Sequence, residues 1–238
     1  MASTFDFAIK QHKKGTLKRI VVVSSSMVFE TTEIYPTPES EVDKCTPPLS
    51  TYGFQKLACE YFAKGAYEQY GVPYTIIRPF NCVGIGEEEA IGDDKPVIIG
   101  NMKMMLSHVL PDIINKALIV GPDGELPILG TGEQVRHYTN GKDIATGIIM
   151  AMESEDGLNN DFNISHPDPW TVNDLAEEVW YQLYGNRDIK FKYEEPYEYD
   201  VQYRSPDVSK AKEVLSFEAK VEVKDSIKEV IEWVKNKK

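Results

Sequence analysis

Two runs of β-branched residues constrain the fold of this chain more than any other feature of its sequence. The first is Arg19-Ile-Val-Val-Val-Ser24 and the second is Tyr74-Thr-Ile-Ile-Arg78. Continuous apolar runs of this kind are typical of strands buried on both faces of a parallel sheet. A helical pattern lies between them, so the two strands should be joined by a right-handed crossover. The alternation predicts an α/β fold with a parallel sheet.

A tyrosine and a lysine stand four residues apart at the start of the intervening helix, in Tyr52-Gly-Phe-Gln-Lys56. Side chains at this spacing share one helix face. An ammonium placed there favours the phenolate form of the tyrosine, so the phenol could serve as a general acid/base. The run Ser24–Ser26 follows the first strand, at the edge where open α/β sheets place their ligands. A serine hydroxyl and the phenol could therefore share one substrate oxygen.

The pattern predicts further elements along the chain. The helix with Tyr52 should be capped by Ser50 or Thr51, and it should end near Tyr70, before Gly71. Its predicted buried stripe is Leu57, Ala58, Tyr61 and Phe62. The other predicted helices are 1–14, 101–118, 141–152, 170–184, 207–215 and 224–235. The other predicted strands are 126–129, 162–164 and 189–193, and residues 83–101 form a predicted loop.

Charge and cysteine content exclude several classes of partner. The chain has 238 residues and a formal net charge of -12, with the acidic residues spread along its length. This charge argues against nucleic acid or an anionic membrane as a partner. Cys45, Cys59 and Cys82 are odd in number and lack metal-ligand spacing, which favours reduced thiols over a disulfide or a metal site. No apolar run of spanning length and no signal-peptide pattern is visible, so we expect a cytoplasmic protein.

Several motifs in one order resemble a known family. The strand, the serine run, the Tyr/Lys helix and Arg78-Pro-Phe-Asn81 are similar to the extended short-chain dehydrogenase/reductase family. Within it, the chain most resembles the NAD-dependent nucleotide-sugar epimerase/dehydratase group, of the UDP-glucose 4-epimerase kind. Residues 130–145 are similar to the family's G-x-G-x-x-x-R-x-[FY]-x-x-[VI]-x-D segment, and residues 204–211 to its R-x-x-D-x-S-K-A segment.

The resemblance implies the C-terminal part of a Rossmann-type doubly wound parallel sheet and a smaller α/β substrate-binding lobe. We expect residues 1–97 to form a partial NAD-binding domain. Residues 98–238 should form mainly the nucleotide-sugar lobe, with about 126–150 returning to the Rossmann core. The family's first strand and G-x-x-G-x-x-G turn have no counterpart, because Gly15 is the sole glycine before the serine run. A trimmed sequence, a misplaced start codon and a genuine truncation all stay open, and the intact later motifs favour the first two.

The resemblance also implies roles at the reaction centre. Tyr52 would be the catalytic acid/base, and Lys56 would bind the nicotinamide ribose of NAD. Ser25 would contact the sugar hydroxyl, but a one-residue shift of the alignment would exchange it with Ser24 or Ser26. Ser24 and Pro79 are expected beside the cofactor, and Ser26 beside the substrate.

The remaining implied site residues bind the nucleotide sugar. Asn81 would contact the diphosphate or the sugar. Arg136 and Arg204 are the best candidates for the diphosphate, because a guanidinium fork matches phosphate oxygens and an acidic protein needs local cations. Asp207 could accept from a ribose hydroxyl, or it could equally cap the helix that follows it. No metal site is expected.

Residue Met27 bears on the reaction. Related dehydratases carry an Asp-Glu pair at Ser26-Met27, and related decarboxylases usually keep the glutamate. Methionine can do neither job, which favours an epimerase that interconverts a UDP-hexose at C4 through a 4-keto intermediate. Another reaction of the same family (dehydration, decarboxylation or reduction) and a truncated, non-catalytic nucleotide-sugar-binding chain stay open. A homodimer through the first helix and the Tyr52 helix is also implied.

Overall fold

The computed structural model describes residues 1–86, 97–99, 102–104, 108–196 and 201–237. The chain forms two compact units that are interleaved in sequence. The first unit comprises Met1–Cys82, His137–Asp168 and Arg204–Lys220, and the second comprises Val83–Arg136, Pro169–Tyr203 and Val221–Lys238. This division differs from the predicted boundary at 97, because 137–168 and 204–220 also belong to the first unit.

The first unit is built on a three-stranded parallel sheet. Its strands are β1 (Ile20–Val23), β2 (Tyr74–Pro79) and β9 (Asn160–Ile164), and they lie in the order β1-β2-β9. Both pairs are parallel, with Val22 opposite Ile76 and Ile77 opposite Phe162. The predicted parallel α/β fold is therefore confirmed. Its helices are α1 (Ala2–Lys13), α2 (Thr51–Tyr70), α4 (Gly141–Glu153) and α6 (Ser209–Leu215), and the short strand β8 is Thr139–Asn140.

Apolar side chains cover both faces of this sheet. Successive residues of a strand point to opposite faces, so Ile76 and Ile77 enter different clusters. Ile76 packs with residues of β1, α1 and α2 and with Val72, which follows α2: Phe5, Val22, Ala63, Ala66 and Val72. Ile77 packs with residues of β9, α4 and α6 and with Phe217, which follows α6: Ile144, Ala151, Phe162, Ile164, Ala211, Leu215 and Phe217. Burial on both faces explains why the strand sequences are continuously apolar.

The second unit combines short strands with a group of three helices. Strands β6 (Glu125–Leu129) and β11 (Lys190–Glu194) pair in parallel, whereas β7 (Val135–Arg136) and β10 (Trp170–Thr171) pair antiparallel. Helices α3 (Val109–Val120), α5 (Val172–Tyr184) and α7 (Val223–Lys237) pack against one another. Their buried residues include Leu110, Ile114, Val179, Trp180, Ile227 and Val230. The remaining short strands are β3 (Cys82–Val83), β4 (Val97–Ile99) and β5 (Met102–Met104).

Three sequence predictions need correction. Residues 102–104 are not helical, because Met102–Met104 pair as an antiparallel strand with Val97–Ile99, and this pairing also interrupts the predicted loop 83–101. The rest of that predicted loop, at 87–96 and 100–101, lies outside the described residues. Helix α6 begins at Ser209 rather than at Asp207, with Val208 as its N-cap.

The third correction concerns the buried face of α2. Tyr61 is 59% exposed and Phe62 is 43% exposed, although both were predicted to be buried. Leu57 is buried as predicted and Ala58 is half-buried. The inner face instead consists mainly of small residues and one acid: Gly53, Leu57, Glu60, Ala63 and Ala66. The periodicity of aromatic residues indicated the wrong face because a charged partner elsewhere in the chain makes Glu60 the inward residue.

Candidate active site

Helix α2 brings Tyr52 and Lys56 to the carboxyl end of β1. Ser50 caps the helix, because its Oγ accepts a hydrogen bond from the Gly53 N–H at 3.1 Å. The Lys56 Nζ donates to the carbonyl oxygen of Val23, the last residue of β1, at 2.9 Å. The same Nζ lies 5.7 Å from the centroid of the Tyr52 ring. Tyr52 is 48% exposed, so its phenol is accessible to a ligand.

Gly53 allows α2 to approach the turn that follows β1. A Cβ atom at Gly53 would lie 2.7 Å from the carbonyl oxygen of Met27, closer than real contacts allow. Met27 belongs to the 3-10 helix Ser26–Phe29, which directly continues the serine run. The glycine between Tyr52 and Lys56 is therefore required by packing, and it holds the Tyr/Lys pair close to the serines.

The three serines have different surroundings. Ser24 is buried and its hydroxyl donates to the Glu60 carboxylate at 2.5 Å, so this hydroxyl hydrogen is directed into the protein. The Ser25 Oγ accepts from the Met27 N–H at 3.2 Å as the cap of the 3-10 helix, which leaves its own hydrogen to donate elsewhere. Ser26 is the first residue of that helix and is buried.

A buried group of charged side chains underlies these residues, and the sequence analysis missed it. Glu60 and Arg78 form a bidentate pair, with Nε to Oε1 at 2.9 Å and Nη2 to Oε2 at 2.7 Å. Arg78 also contacts Asp161 at 2.8 Å, and Asp161 accepts from Lys210 at 2.6 Å. One signal was present in the sequence, since Glu60 is one helical turn beyond Lys56 and so shares its helix face.

Ionic pairing outweighs burial in this group. Burial by itself would lower the pKa of Arg78, but the hydrogen bonds and charges of Glu60 and Asp161 raise it above its ordinary value. Burial would likewise raise the pKa of Asp161, but the charges and hydrogen bonds of Arg78 and Lys210 hold it below its ordinary value. Both side chains are therefore charged at neutral pH.

Pro79 and Asn81, the predicted site residues at the end of β2, contact two later segments of the chain. Pro79 is the last residue of β2 and pairs with Ile164. Asn81 has a positive φ of 30°, and its carbonyl oxygen accepts from the Thr139 N–H at 3.0 Å. Its Nδ2 lies 3.5 Å from the carbonyl oxygen of His137. This backbone geometry fixes Asn81 at the carboxyl edge of the sheet.

Arg204 and Asp207 lie on one extended segment of the first unit. The carbonyl oxygen of Thr37 accepts from the Asp207 N–H at 2.9 Å, and the Thr37 N–H donates to Ser205. The Asp207 carboxylate accepts from the Ser209 N–H at 2.9 Å. Asp207 therefore supports the turn before α6, although it is not the N-cap residue of that helix.

Arg136 lies in the second unit, after a turn that two glycines make possible. Gly130 and Gly132 have φ of 70° and 75°, and a Cβ atom at Gly132 would lie 1.9 Å from the Oδ1 atom of Asn173. The Asn173 amide donates to the carbonyl oxygen of Thr131 at 3.1 Å. Strand β7 then carries Arg136, whose Nη1 donates to its neighbour's carbonyl at 2.8 Å. The G-x-G pattern is thus explained locally by the turn.

A tyrosine and a lysine one turn apart at the carboxyl end of a parallel strand form a site that can move a proton to and from a hydroxyl group. This geometry defines a proton-transfer site on a Rossmann-like sheet. The chain belongs to the NAD-dependent epimerase/dehydratase family, whose model matches residues 7–165.

Relatives in this family carry out more than one reaction. The chain is 31% identical over 212 residues to UDP-glucuronic acid decarboxylase 3 of Arabidopsis thaliana, covering 88% of this chain and 55% of that protein. It is 27% identical over 229 residues to a putative UDP-glucose 4-epimerase of Methanocaldococcus jannaschii, covering 96% of this chain and 67% of that protein. The solved UDP-glucose 4-epimerase of Thermotoga maritima with UDP-glucose superposes with a TM-score of 0.75 at 27% identity, covering 96% and 67%. The chain thus spans about half the length of the first of these relatives.

The residues present fit one end of the family's dinucleotide. Lys56 and Tyr52 offer an ammonium and a phenol at the edge of the sheet, which suits a nicotinamide ribose. The pyrophosphate of NAD is held in such folds by a glycine-rich turn at a helix N-terminus. Residues 1–23 contain only Gly15, at a φ of 73°, and so offer no such turn. Among the described residues, no helix is both long and apolar enough to cross a bilayer.

Proposed function

We propose that this chain carries the catalytic and substrate-binding residues of an NAD-dependent nucleotide-sugar epimerase that interconverts a UDP-hexose at C4. The observation that carries the proposal is the Lys56 Nζ bound to the Val23 carbonyl with the Tyr52 ring beside it. The contact supports the proposal because it lies at the edge of the sheet where α/β proteins bind their ligands.

Each residue of the centre has a defined task in this reaction. Tyr52 takes the proton from the sugar hydroxyl as the alcohol is oxidised, and it returns the proton when the 4-keto sugar is reduced on its other face. Lys56 holds its ammonium beside the Tyr52 ring and would bind the nicotinamide ribose, and Ser25 donates its remaining hydrogen to the sugar oxygen. When bound, NAD accepts the hydride and later returns it. Ser24 and Pro79 would border the cofactor.

The diphosphate needs cations because the chain as a whole is acidic. Arg136 and Arg204 remain the candidates to supply planar guanidinium forks for the phosphate oxygens. Asp207 would accept from the ribose, Asn81 would donate to the sugar or diphosphate, and Ser26 would border the sugar. We expect this protein to act in the cytoplasm.

Met27 supports epimerisation over dehydration or decarboxylation, because its thioether cannot exchange protons. Decarboxylation of UDP-glucuronate is the second candidate, and the 31% identity to the Arabidopsis decarboxylase favours it. A chain that binds nucleotide sugar without turning it over is the third candidate.

The test is product analysis with the full chain, NAD and either UDP-glucose or UDP-glucuronate, paired with calorimetric binding. Replacing Tyr52→Phe should lower turnover at least about 10²-fold, because it removes the acid/base, while nucleotide-sugar binding is kept. Tyr61→Phe, an exposed tyrosine of the same helix, is the matched control and should have no effect.

Each outcome decides between the candidates. Epimerised sugar supports the proposal, and release of carbon dioxide from UDP-glucuronate supports the decarboxylase. Binding without turnover supports the non-catalytic chain. If Tyr52→Phe retained full activity, Tyr52 would not be the acid/base.

We also infer that the protein forms a homodimer through α1 and α2. Aromatic side chains on these helices are exposed, at 62% for Phe7, 55% for Phe54 and 59% for Tyr61. Burying such side chains against a second copy would stabilise the pair. Sedimentation of the chain and of a Tyr61→Asp variant checks this: a dimer that the substitution dissociates is expected, and a monomeric parent would contradict it.

A further inference from the structure

Glu60 is the most deeply buried acid beneath the strand ends of the first unit. Its side chain is 1% exposed and that of Arg78 is 0% exposed. Burying two charges is costly unless they are paired and their remaining hydrogen-bonding groups are satisfied. Here the pairing is bidentate, and it continues from Arg78 to Asp161 and Lys210. The four formal charges sum to zero, so the group is neutral as a whole.

The Glu60 carboxylate does more than neutralise Arg78. Its Oε1 atom accepts both the Arg78 Nε–H at 2.9 Å and the Ser24 hydroxyl at 2.5 Å. Ser24 is also held through its backbone, since its N–H donates to the Ile77 carbonyl at 2.7 Å. The residue after β1 is therefore fixed by two independent contacts, one from the neighbouring strand and one from α2.

Residues on either side of Ser24 belong to the reaction centre. Val23 precedes it and accepts from Lys56, and Ser25 follows it and caps the 3-10 helix that packs against Gly53. Glu60 lies one turn beyond Lys56 on the same helix. The Glu60 carboxylate thus links α2, which carries the Tyr/Lys pair, to the turn that carries the serines.

We propose that Glu60 is a positioning residue that, through its bond to Ser24, sets where Ser25 and Ser26 meet the sugar of a nucleotide-sugar ligand. The inference rests on the function proposed above, and it assigns to Glu60, which lies behind Ser24, a role in holding the residues that meet the sugar. Glu60 should therefore affect recognition of the sugar and leave recognition of the nucleotide unchanged.

An amide at this position cannot replace the carboxylate. In Glu60→Gln, an NH₂ group replaces one of the two carboxylate oxygens. It then faces either the Arg78 Nη2–H, or both the Arg78 Nε–H and the Ser24 hydroxyl. A donor then faces a donor, so the side chain shifts and Ser24 loses part of its anchor. Ser24→Ala removes the same anchor and leaves the Glu60–Arg78 pair intact.

The experiment measures the affinity of the full chain for UDP and for UDP-glucose by calorimetry. The quantity of interest is the dissociation constant for UDP divided by the dissociation constant for UDP-glucose. This ratio is larger when the sugar adds to the affinity. We expect Glu60→Gln and Ser24→Ala each to reduce that ratio by about 3- to 10-fold, the effect of one lost hydrogen bond, with UDP affinity unchanged. The double variant should lower the ratio no more than either single variant does, because both substitutions remove the same Glu60–Ser24 hydrogen bond.

The matched control is Glu178→Gln on α5. Glu178 is also buried and also bonds an arginine, Arg187, at 3.0 Å, but it lies in the second unit. It should leave the ratio unchanged. Ser24→Ala also serves if Glu60→Gln does not fold, because it preserves the charge pair.

Different failures have different meanings. If the parent chain binds neither UDP nor UDP-glucose, the proposed function itself is wrong, and the positioning role is overturned with it. If the parent binds UDP-glucose more tightly than UDP but the ratio survives in Ser24→Ala, only the positioning role is overturned. The same holds if both ligands weaken equally, if the two substitutions act additively, or if the parent binds both ligands with the same affinity.

Discussion

Two buried glutamates hold an arginine in this molecule, and their surroundings differ. In the first unit, Glu60 binds Arg78, and both side chains are excluded from water at 1% and 0% exposure. In the second unit, Glu178 binds Arg187 at 3.0 Å, but the arginine is 50% exposed and lies over the Tyr181 ring. The same two residue types thus form an internal framework in one unit and a partly solvated surface contact in the other.

The difference shows what a buried pair is used for. A buried pair is weak evidence for stability, because desolvation offsets much of its attraction. Its value in the first unit lies in the geometry it imposes on the ends of β1 and β2. In the second unit, helix packing around Trp180 supplies the order, and the ion pair sits at its margin.

Arg78→Met, which breaks the buried pair of the first unit, should cause the largest loss in the free energy of unfolding. It leaves Glu60 buried without its cation, while Asp161 keeps Lys210, and breaking a buried pair in this way costs about 3–5 kcal/mol. Urea denaturation of the variant and the parent measures the loss directly.

Arg187→Met is the matched control for that loss. Its partner Glu178 keeps a hydrogen bond from Gln182 at 3.0 Å, and water can reach the site. We expect a loss of about 1 kcal/mol or less. Equal losses for the two variants would contradict the distinction drawn between the two pairs.

Gly132→Ala tests how the second unit positions the strand that carries Arg136. An alanine there must adopt a positive φ and would collide with the Asn173 amide, so a loss at the upper end of about 1–3 kcal/mol is expected. Thermal and urea unfolding of the full chain provide the measurement.

The control for Gly132→Ala is Gly185→Ala. Gly185 has nearly the same φ, 74° against 75°, but nothing lies within 4 Å of its added Cβ atom. It should lose only the backbone contribution of about 1 kcal/mol. If the two variants were equally stable, contact with Asn173 would not constrain the turn.

His137 provides the smallest expected effect and contrasts with the paired charges of its unit. Burial lowers its pKa below 6.5, outweighing the His166 carbonyl and the charge of Asp168, and the charge of His166 lowers it further. As the pH falls below 6.5, His137 therefore takes up a proton more readily in the unfolded chain than in the folded chain. The free energy of unfolding should therefore decrease as the pH falls, by at most about 1.4 kcal/mol per pH unit.

The variant His137→Gln should show a shallower loss between pH 7.5 and 5 than the parent, because it cannot take up that proton. Denaturation midpoints across this range measure both slopes. Parallel slopes would mean that protonation of His137 does not contribute to the acid sensitivity of the fold.

Much of the local structure could be read from the sequence. Both buried strands, the cap at Ser50 and the end of α2 at Gly71 are confirmed, because each depends on neighbours within a few residues. The predictions that needed correction depend on distant partners. Met102–Met104 form a strand only because Val97–Ile99 pair with them, and the inner face of α2 is set by Arg78.

The sequence alone determined the pairing of Tyr52 with Lys56, since a spacing of four residues on a helix places both on one face whatever surrounds them. Only the tertiary structure decided where that pair points and which serine remains available to it. Glu60 reaches Arg78 across 18 residues and Ser24 across 36, and these contacts form only when the strands and α2 pack together. The chemistry of the dyad is therefore local, and its alignment with the serines is a property of the folded sheet.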